Sequence, residues 1–111
     1  MTVAPEAGGA PLIIPRRLAI ALLAEAQRAE SGVVRGLIGA RDGVPVTVRP
    51  GEAAQLASGE AVWARYSSGT QQPDDRGGRQ LLISLDTKGV LQLRCWDRAA
   101  GRAVERELRI V

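Results

Sequence analysis

The sequence predicts an α+β domain, with one long N-terminal helix packed on a mixed sheet of about six strands. Three patterns carry that expectation. Leu18, Leu22, Ala26 and Ala29 recur at helical spacing. From Val33 onward, short apolar runs are separated by turn residues. In the last run Val104, Leu108 and Ile110 alternate with Glu105, Glu107 and Arg109, so one face is wet. Arg106 falls on the apolar face and breaks this pattern.

Met1 to Pro11 is rich in Ala, Gly and Pro and reads as a loose arm, leaving 12–111 as a single domain. The helix spans about Pro15 to Glu30, with proline tolerated at its first turn and Ser31-Gly32 as its stop. On it, Arg17, Glu25 and Arg28 supply the polar side. Val33 to Ala40 is the first strand, Arg41-Asp42-Gly43 a hairpin turn, and Val44 to Val48 the partner, with Pro45 at its start or on an edge. Arg49-Pro50-Gly51 breaks the chain, and Glu52 to Ser58 has room for two helical turns at most. Ala61 to Tyr66 is a strand followed by a polar loop over 67–78. Gln80 to Leu85, Val90 to Trp96 and Val104 to Val111 complete the sheet, with turns at Thr87-Lys88-Gly89 and Ala100-Gly101. Trp63 and Tyr66 stand three apart, which on a regular strand turns one inward and one outward.

Composition excludes much chemistry. The 111 residues contain no histidine, a single cysteine and no phenylalanine. The commonest metal ligand and the commonest neutral-pH base are therefore absent, and Cys95 can form neither an internal disulfide nor a multi-cysteine zinc site. Cys95 shares strand parity with Leu91 and Leu93 and reads as a core residue rather than a nucleophile, although Arg94 and Arg98 are near. Lys88, the single lysine, lies in a tight turn where it stays hydrated, which argues against a Ser-Lys pair with Ser67 or Ser68. The 15 basic residues exceed the acidic ones by three and are scattered among them, the pattern of a mixed surface. Arg16-Arg17 before the apolar run 18–24, with Ala24-Glu25-Ala26 behind it, imitates a signal peptide. Its helical periodicity favours a core-docked helix in a soluble, cytoplasmic protein.

A helix, then Gly36-Leu37-Ile38-Gly39 on a strand, then the hairpin strand Val44 to Val48, resembles the opening of a bacterial Mov34/MPN/PAD-1 domain, the JAB or JAMM metalloprotease family. Ala61-Val62-Trp63-Ala64-Arg65-Tyr66 resembles the strand that leads into the family's metal motif. Leu82-Ile83-Ser84-Leu85-Asp86 and Val90-Leu91-Gln92-Leu93-Arg94 agree with its other end. The resemblance covers roughly 12–49, 61–70 and 80–111. It implies a shortened MPN-like (cytidine-deaminase-like) architecture, with the second helix and the segment after the metal loop missing.

The family's chemistry needs zinc on His-x-His and a downstream Asp, a Ser that helps the oxyanion, and a Glu as base. Imidazoles and carboxylate leave one water position open, and the Glu takes that water's proton. Here Tyr66-Ser67-Ser68-Gly69-Thr70 stands where Tyr-His-Ser-His-Pro is expected, so Ser67 and Gly69 occupy the histidine positions. Val33 occupies the base position; Glu30 is close but out of register. Asp74 and Asp75 follow Gly69 too closely for the third ligand. The resemblance therefore implies a catalytically inactive, metal-free module without a cofactor. It binds a protein partner: a ubiquitin-like sulfur carrier, another subunit, or a second copy of itself. Trp63, Tyr66, Ser67 and Ser68 are the candidate contacts, on a strand edge left open near 61–66 and the loop behind it. The alternative is an uncharacterised enzyme or a small basic nucleic-acid-binding domain.

Overall fold

A computed structural model describes residues 11–29, 32–51, 55–69, 78–99 and 101–111. The arm 1–10, Glu30, Ser31, 52–54, 70–77 and Ala100 lie outside the described residues, and with them Thr70, Asp74 and Asp75. The elements run β1 (Leu12–Ile14), α1 (Arg16–Arg28), β2 (Arg35–Arg41), β3 (Val44–Pro50) and β4 (Ala61–Ser67). They continue with β5 (Gln80–Leu85), β6 (Leu91–Ala99), β7 (Arg102–Arg106) and β8 (Leu108–Ile110). Six strands form one sheet in the order β3-β2-β4-β5-β6-β7, antiparallel except for the parallel β4–β5 pair. The sheet is mixed, as the sequence predicts.

Helix α1 lays Leu18, Ala19, Leu22 and Ala26 on one face of this sheet. They meet Ile38, Ala64, Tyr66, Leu81, Ile83 and Cys95 in a single aliphatic core. The helix is thirteen residues, shorter at both ends than its sequence span. Its first orphan amide, Arg16 N–H, donates to the Val111 carbonyl at 2.8 Å, since Pro15 offers no side-chain cap. The place of Glu25 corrects the sequence reading. It sits one turn from Leu22 on the core stripe and is buried, rather than on the polar side.

The last strand also differs from expectation. It breaks at Glu107: β7 pairs with β6, while β8 leaves the main sheet and pairs in parallel with β1, a strand the sequence reading assigned to no element. The break explains Arg106. Its register partner is Cys95 on the helix face, and its guanidinium donates to Asp97 at 2.7 Å. The apolar face carries a cation there because a carboxylate meets it.

Strand β4 lies in the sheet interior, hydrogen-bonded by β2 on one side and β5 on the other. The expectation of an open edge at 61–66 is therefore corrected; the edges are β3 and β7. The β2–β4 register passes from Ile38↔Ala64 to Gly39↔Val62, leaving Trp63 as an extra residue. This bulge restarts the alternation, so Trp63 and Tyr66 both join the core instead of pointing to opposite faces.

Because β3 and β4 are each antiparallel to β2, they are parallel to each other, and 51–60 must cross over β2. Glu60 anchors the end of that crossing. Its carboxylate accepts from Thr47 Oγ1 (3.1 Å), Arg49 Nη2 (3.0 Å) and the Ala57 amide (3.1 Å). A side chain on Gly39 would stand 2.7 Å from both the Glu60 carboxylate and Thr47 Oγ1. Gly39 is thus the floor on which the crossing rests. No helix of the described residues is long and apolar enough to cross a membrane.

Candidate functional site

Of the positions singled out by sequence, Val33, Tyr66, Ser67, Ser68 and Gly69 lie together at the C-terminal end of β4. Gly36 faces Tyr66 across the β2–β4 pair. A Cβ there would lie 2.6 Å from the tyrosine ring and against the Arg49 carbonyl, so only glycine lets the ring pass. The ring's hydroxyl reaches α1 and donates to Glu25 Oε1 at 2.6 Å, while Arg28 Nη1 donates to Oε2 at 2.9 Å. Burial, and then the hydrogen bond to the Glu25 carboxylate, push the Tyr66 phenol well above its ordinary value of about 10. It stays a neutral donor.

Beyond Tyr66 the chain turns back toward the start of β2. Ser68 N–H donates to the Val34 carbonyl at 3.0 Å, and Ser68 Oγ accepts from Val34 N–H at 2.9 Å. The hydroxyl thus serves as a clamp between two loops. Gly69 follows with φ +80°, a left-handed conformation that L side chains resist. A Cβ at Gly69 would sit 2.8 Å from Val33 Cγ2. The structure therefore brings Val33 and Gly69 into contact, beside the Ser68–Val34 clamp. Ser67 is half-buried at the end of β4, in register with Arg35.

Next to this contact lies a cleft of about 390 Å³ lined by Glu25, Arg28, Val33, Val34, Arg35 and Pro50. Val33 is exposed in it, whereas Trp63, Tyr66 and Ser68 are buried. Trp63 and Tyr66 are held largely inside, by the bulge and the Glu25 bond respectively. No group of three or more His, Cys, Asp or Glu side chains among the described residues is placed to hold a metal ion.

Cys95 is fully buried, and that burial pushes its thiol up to about 12. Lys88 lies in an exposed turn closed by the Asp86 carboxylate, which accepts from the Lys88 and Val90 amides. Sequence reasoning missed Glu25, whose signal was its place in the 18-22-25-26 stripe. It also missed Glu60 and Asp97. Their signal is faint, because each finds its arginines across strands rather than along the chain.

No family model matches the sequence, and no curated protein matches it either. Solved structures do match its fold. A protein from Desulfitobacterium hafniense, determined in solution, superposes with a TM-score of 0.68 at 16% identity, over 90% of this chain and 92% of that one. A JAB1/MPN domain protein from Archaeoglobus fulgidus gives 0.64 at 19%, over 91% of this chain and 100% of that one. A JAMM structure, described as a metalloprotease-like zinc site in the proteasome and signalosome, gives 0.55 at 18%, over 90% and 99%. The helix, the mixed six-stranded sheet and this likeness together give the chain a JAB1/MPN-like fold.

Proposed function

We propose that this chain is a catalytically inactive, metal-free MPN-like domain that works in the cytoplasm by binding a protein partner. The observation that carries the reading is the contact between Val33 and Gly69. In the resemblance drawn from sequence these are the positions of the catalytic base and of a metal-binding histidine. Here a valine methyl stands where any side chain on Gly69 would have to go, a Cβ there falling 2.8 Å from Val33 Cγ2, which supports the reading. Neither residue offers a proton acceptor or a ligand at neutral pH.

The cleft beside that contact keeps what binding requires. Val33 supplies exposed apolar surface, and Arg28 and Arg35 flank it with donors suited to carbonyl and carboxylate groups. An extended tail of a ubiquitin-like sulfur carrier, or a segment of a partner subunit, fits that chemistry better than the buried strand β4. Self-association is the remaining form of the same reading.

The test has two parts. Purified protein should contain no stoichiometric zinc, and Ser67→His with Gly69→His should neither gain zinc nor cleave a carrier fusion. The second histidine would have to adopt a left-handed φ and displace Val33. On titrating a sulfur-carrier protein, the amides of Val33, Val34, Arg35, Gly51 and Gly69 should shift. About one tightly held zinc per chain would overturn the inactive reading. A protein that is monomeric and whose cleft amides do not move with any carrier or subunit would overturn the binding one.

A further inference from the structure

A second cavity lies at the other end of β4, roughly 20 Å from the cleft by strand length. It measures about 570 Å³, the size of a small-molecule site. Ala40, Gly43, Gly59 and Ala61 leave it open, Val62 and Trp63 give it an apolar wall, and Arg79 and Asp97 form its polar end.

The polar end is built, not incidental. The Arg79 guanidinium lies over the Trp63 ring, 4.7 Å from its centroid. Asp97 holds it in the plane of that ring's stack: Nε donates to Oδ1 at 2.8 Å and Nη2 to Oδ2 at 3.4 Å. These bonds use two of the three guanidinium nitrogens, and Nη1 has no acceptor among the described residues. A guanidinium held by a ring and a carboxylate, with Nη1 unengaged among the described residues, is organised for an oxyanion before one arrives.

The acids of the wall do not cancel this charge. Asp97 is shared by Arg79 and Arg106, at 2.8 and 2.7 Å. Glu60 is shared by Arg49 and Arg41, at 3.0 and 3.8 Å. Each carboxylate thus faces two guanidiniums. Burial raises the Asp97 carboxyl, yet its two arginines hold it below the usual range, and Arg49 first among its partners does the same for Glu60. Asp42, on the exposed hairpin turn, is the one acid of the lining without such a pair among these contacts.

The geometry points to this cavity as a binding site for a small ligand that carries an oxyanion, a carboxylate or a phosphate, on a compact apolar body. Arg79 Nη1 takes the oxyanion, and Trp63 and Val62 take the body. The site is independent of the partner-binding reading and stands or falls without it.

Inorganic phosphate and propionate serve as probes, titrated at constant ionic strength against the amide and indole NMR signals. One or both should give saturable shifts at Gly43, Ala61, Val62 and the Trp63 indole. Saturation by phosphate alone assigns a phosphate ligand, and by propionate alone a carboxylate. Arg79→Lys should weaken binding about tenfold or more, the worth of a charged hydrogen-bond pair. Asp42→Asn keeps the left-handed turn at that residue and removes the mouth's negative charge, so it should tighten binding severalfold. Arg79→Lys is read only in a variant whose amide spectrum stays folded; Asp42→Asn carries the test otherwise. Shifts no larger than those from matched sodium chloride, or binding indifferent to both variants, would overturn the site.

Discussion

Tyr66→Phe removes one oxygen and isolates a buried carboxylate. Tyr66 is 2% exposed and Glu25 is 6% exposed, and their 2.6 Å bond ties α1 to the centre of the sheet. Without the hydroxyl, Glu25 Oε1 loses its donor, while Oε2 keeps only Arg28, whose side chain is largely in water. A hydrogen bond to a charged group contributes about 1.5–3 kcal/mol, and leaving its partner buried adds to the loss. We expect a cost of about 2–3 kcal/mol. Unfolding entropy of about 2.1 cal/mol/K per residue makes that a drop of about 9–13 °C in Tm for a domain of this size. Calorimetry with matched urea titrations measures it. The pair should also be non-additive. Tyr66→Phe with Glu25→Met removes donor and acceptor together, so the double variant should cost less than Tyr66→Phe alone. Because Tyr66 is the only tyrosine, absorbance near 295 nm reads its ionisation directly. Its folded pKa is raised, so its contribution is complete below about pH 10 and declines as pH climbs above the unfolded value. The unfolded chain should titrate near 10, while the folded chain remains un-ionised at pH 11. A Tyr66→Phe variant within 0.5 kcal/mol of the parent, or a folded tyrosine titrating near 10, would refute the pair as a structural tie.

Gly36→Ala should be among the most damaging single-methyl changes in the chain. The added carbon meets the Arg49 carbonyl and stands 2.6 Å from the Tyr66 ring, and the carbonyl cannot yield without opening the β2–β3 pair. We expect a loss of about 3 kcal/mol or failure to fold, against no effect if the strands simply part. Cys95 gives a chemical check. With its thiol at about 12 and its surface fully covered, native protein at pH 8 should react with iodoacetamide on the order of a thousandfold more slowly than an unfolded control. Alkylation at the unfolded rate would place Cys95 outside the core.

The fold was legible where one periodicity governed an element. The 3.6-residue stripe located α1, and apolar runs with turn residues between them located β2 to β6, because burial on one face leaves a local trace. It was illegible where a single residue reset the pattern. Trp63 looks like an ordinary strand position, yet as the extra residue of a bulge it reverses the parity of Ala61 and Val62 against Tyr66. Only the pairing with Gly39 and Ile38 reveals that. Arg106 looked misplaced for the same kind of reason. A cation on an apolar face is costly alone and inexpensive beside Asp97, which lies nine residues away but diagonally across the β6–β7 pair.

The candidate site was legible as a set of absences, and its replacement chemistry was not. That histidines are missing at 67 and 69 follows from reading five letters. That Ser68 and Gly69 are nonetheless tied to the start of β2 depends on Ser68 clamping Val34 in both directions, and on Gly69 giving Val33 room. These contacts make one physical unit. A residue with a side chain at 69 would push Val33 out, strain the left-handed turn and pull at the Ser68 clamp. A side chain at 69 and the seat of Val33 are therefore coupled, so Gly69→Ala should destabilise the domain through both the left-handed φ and the valine contact.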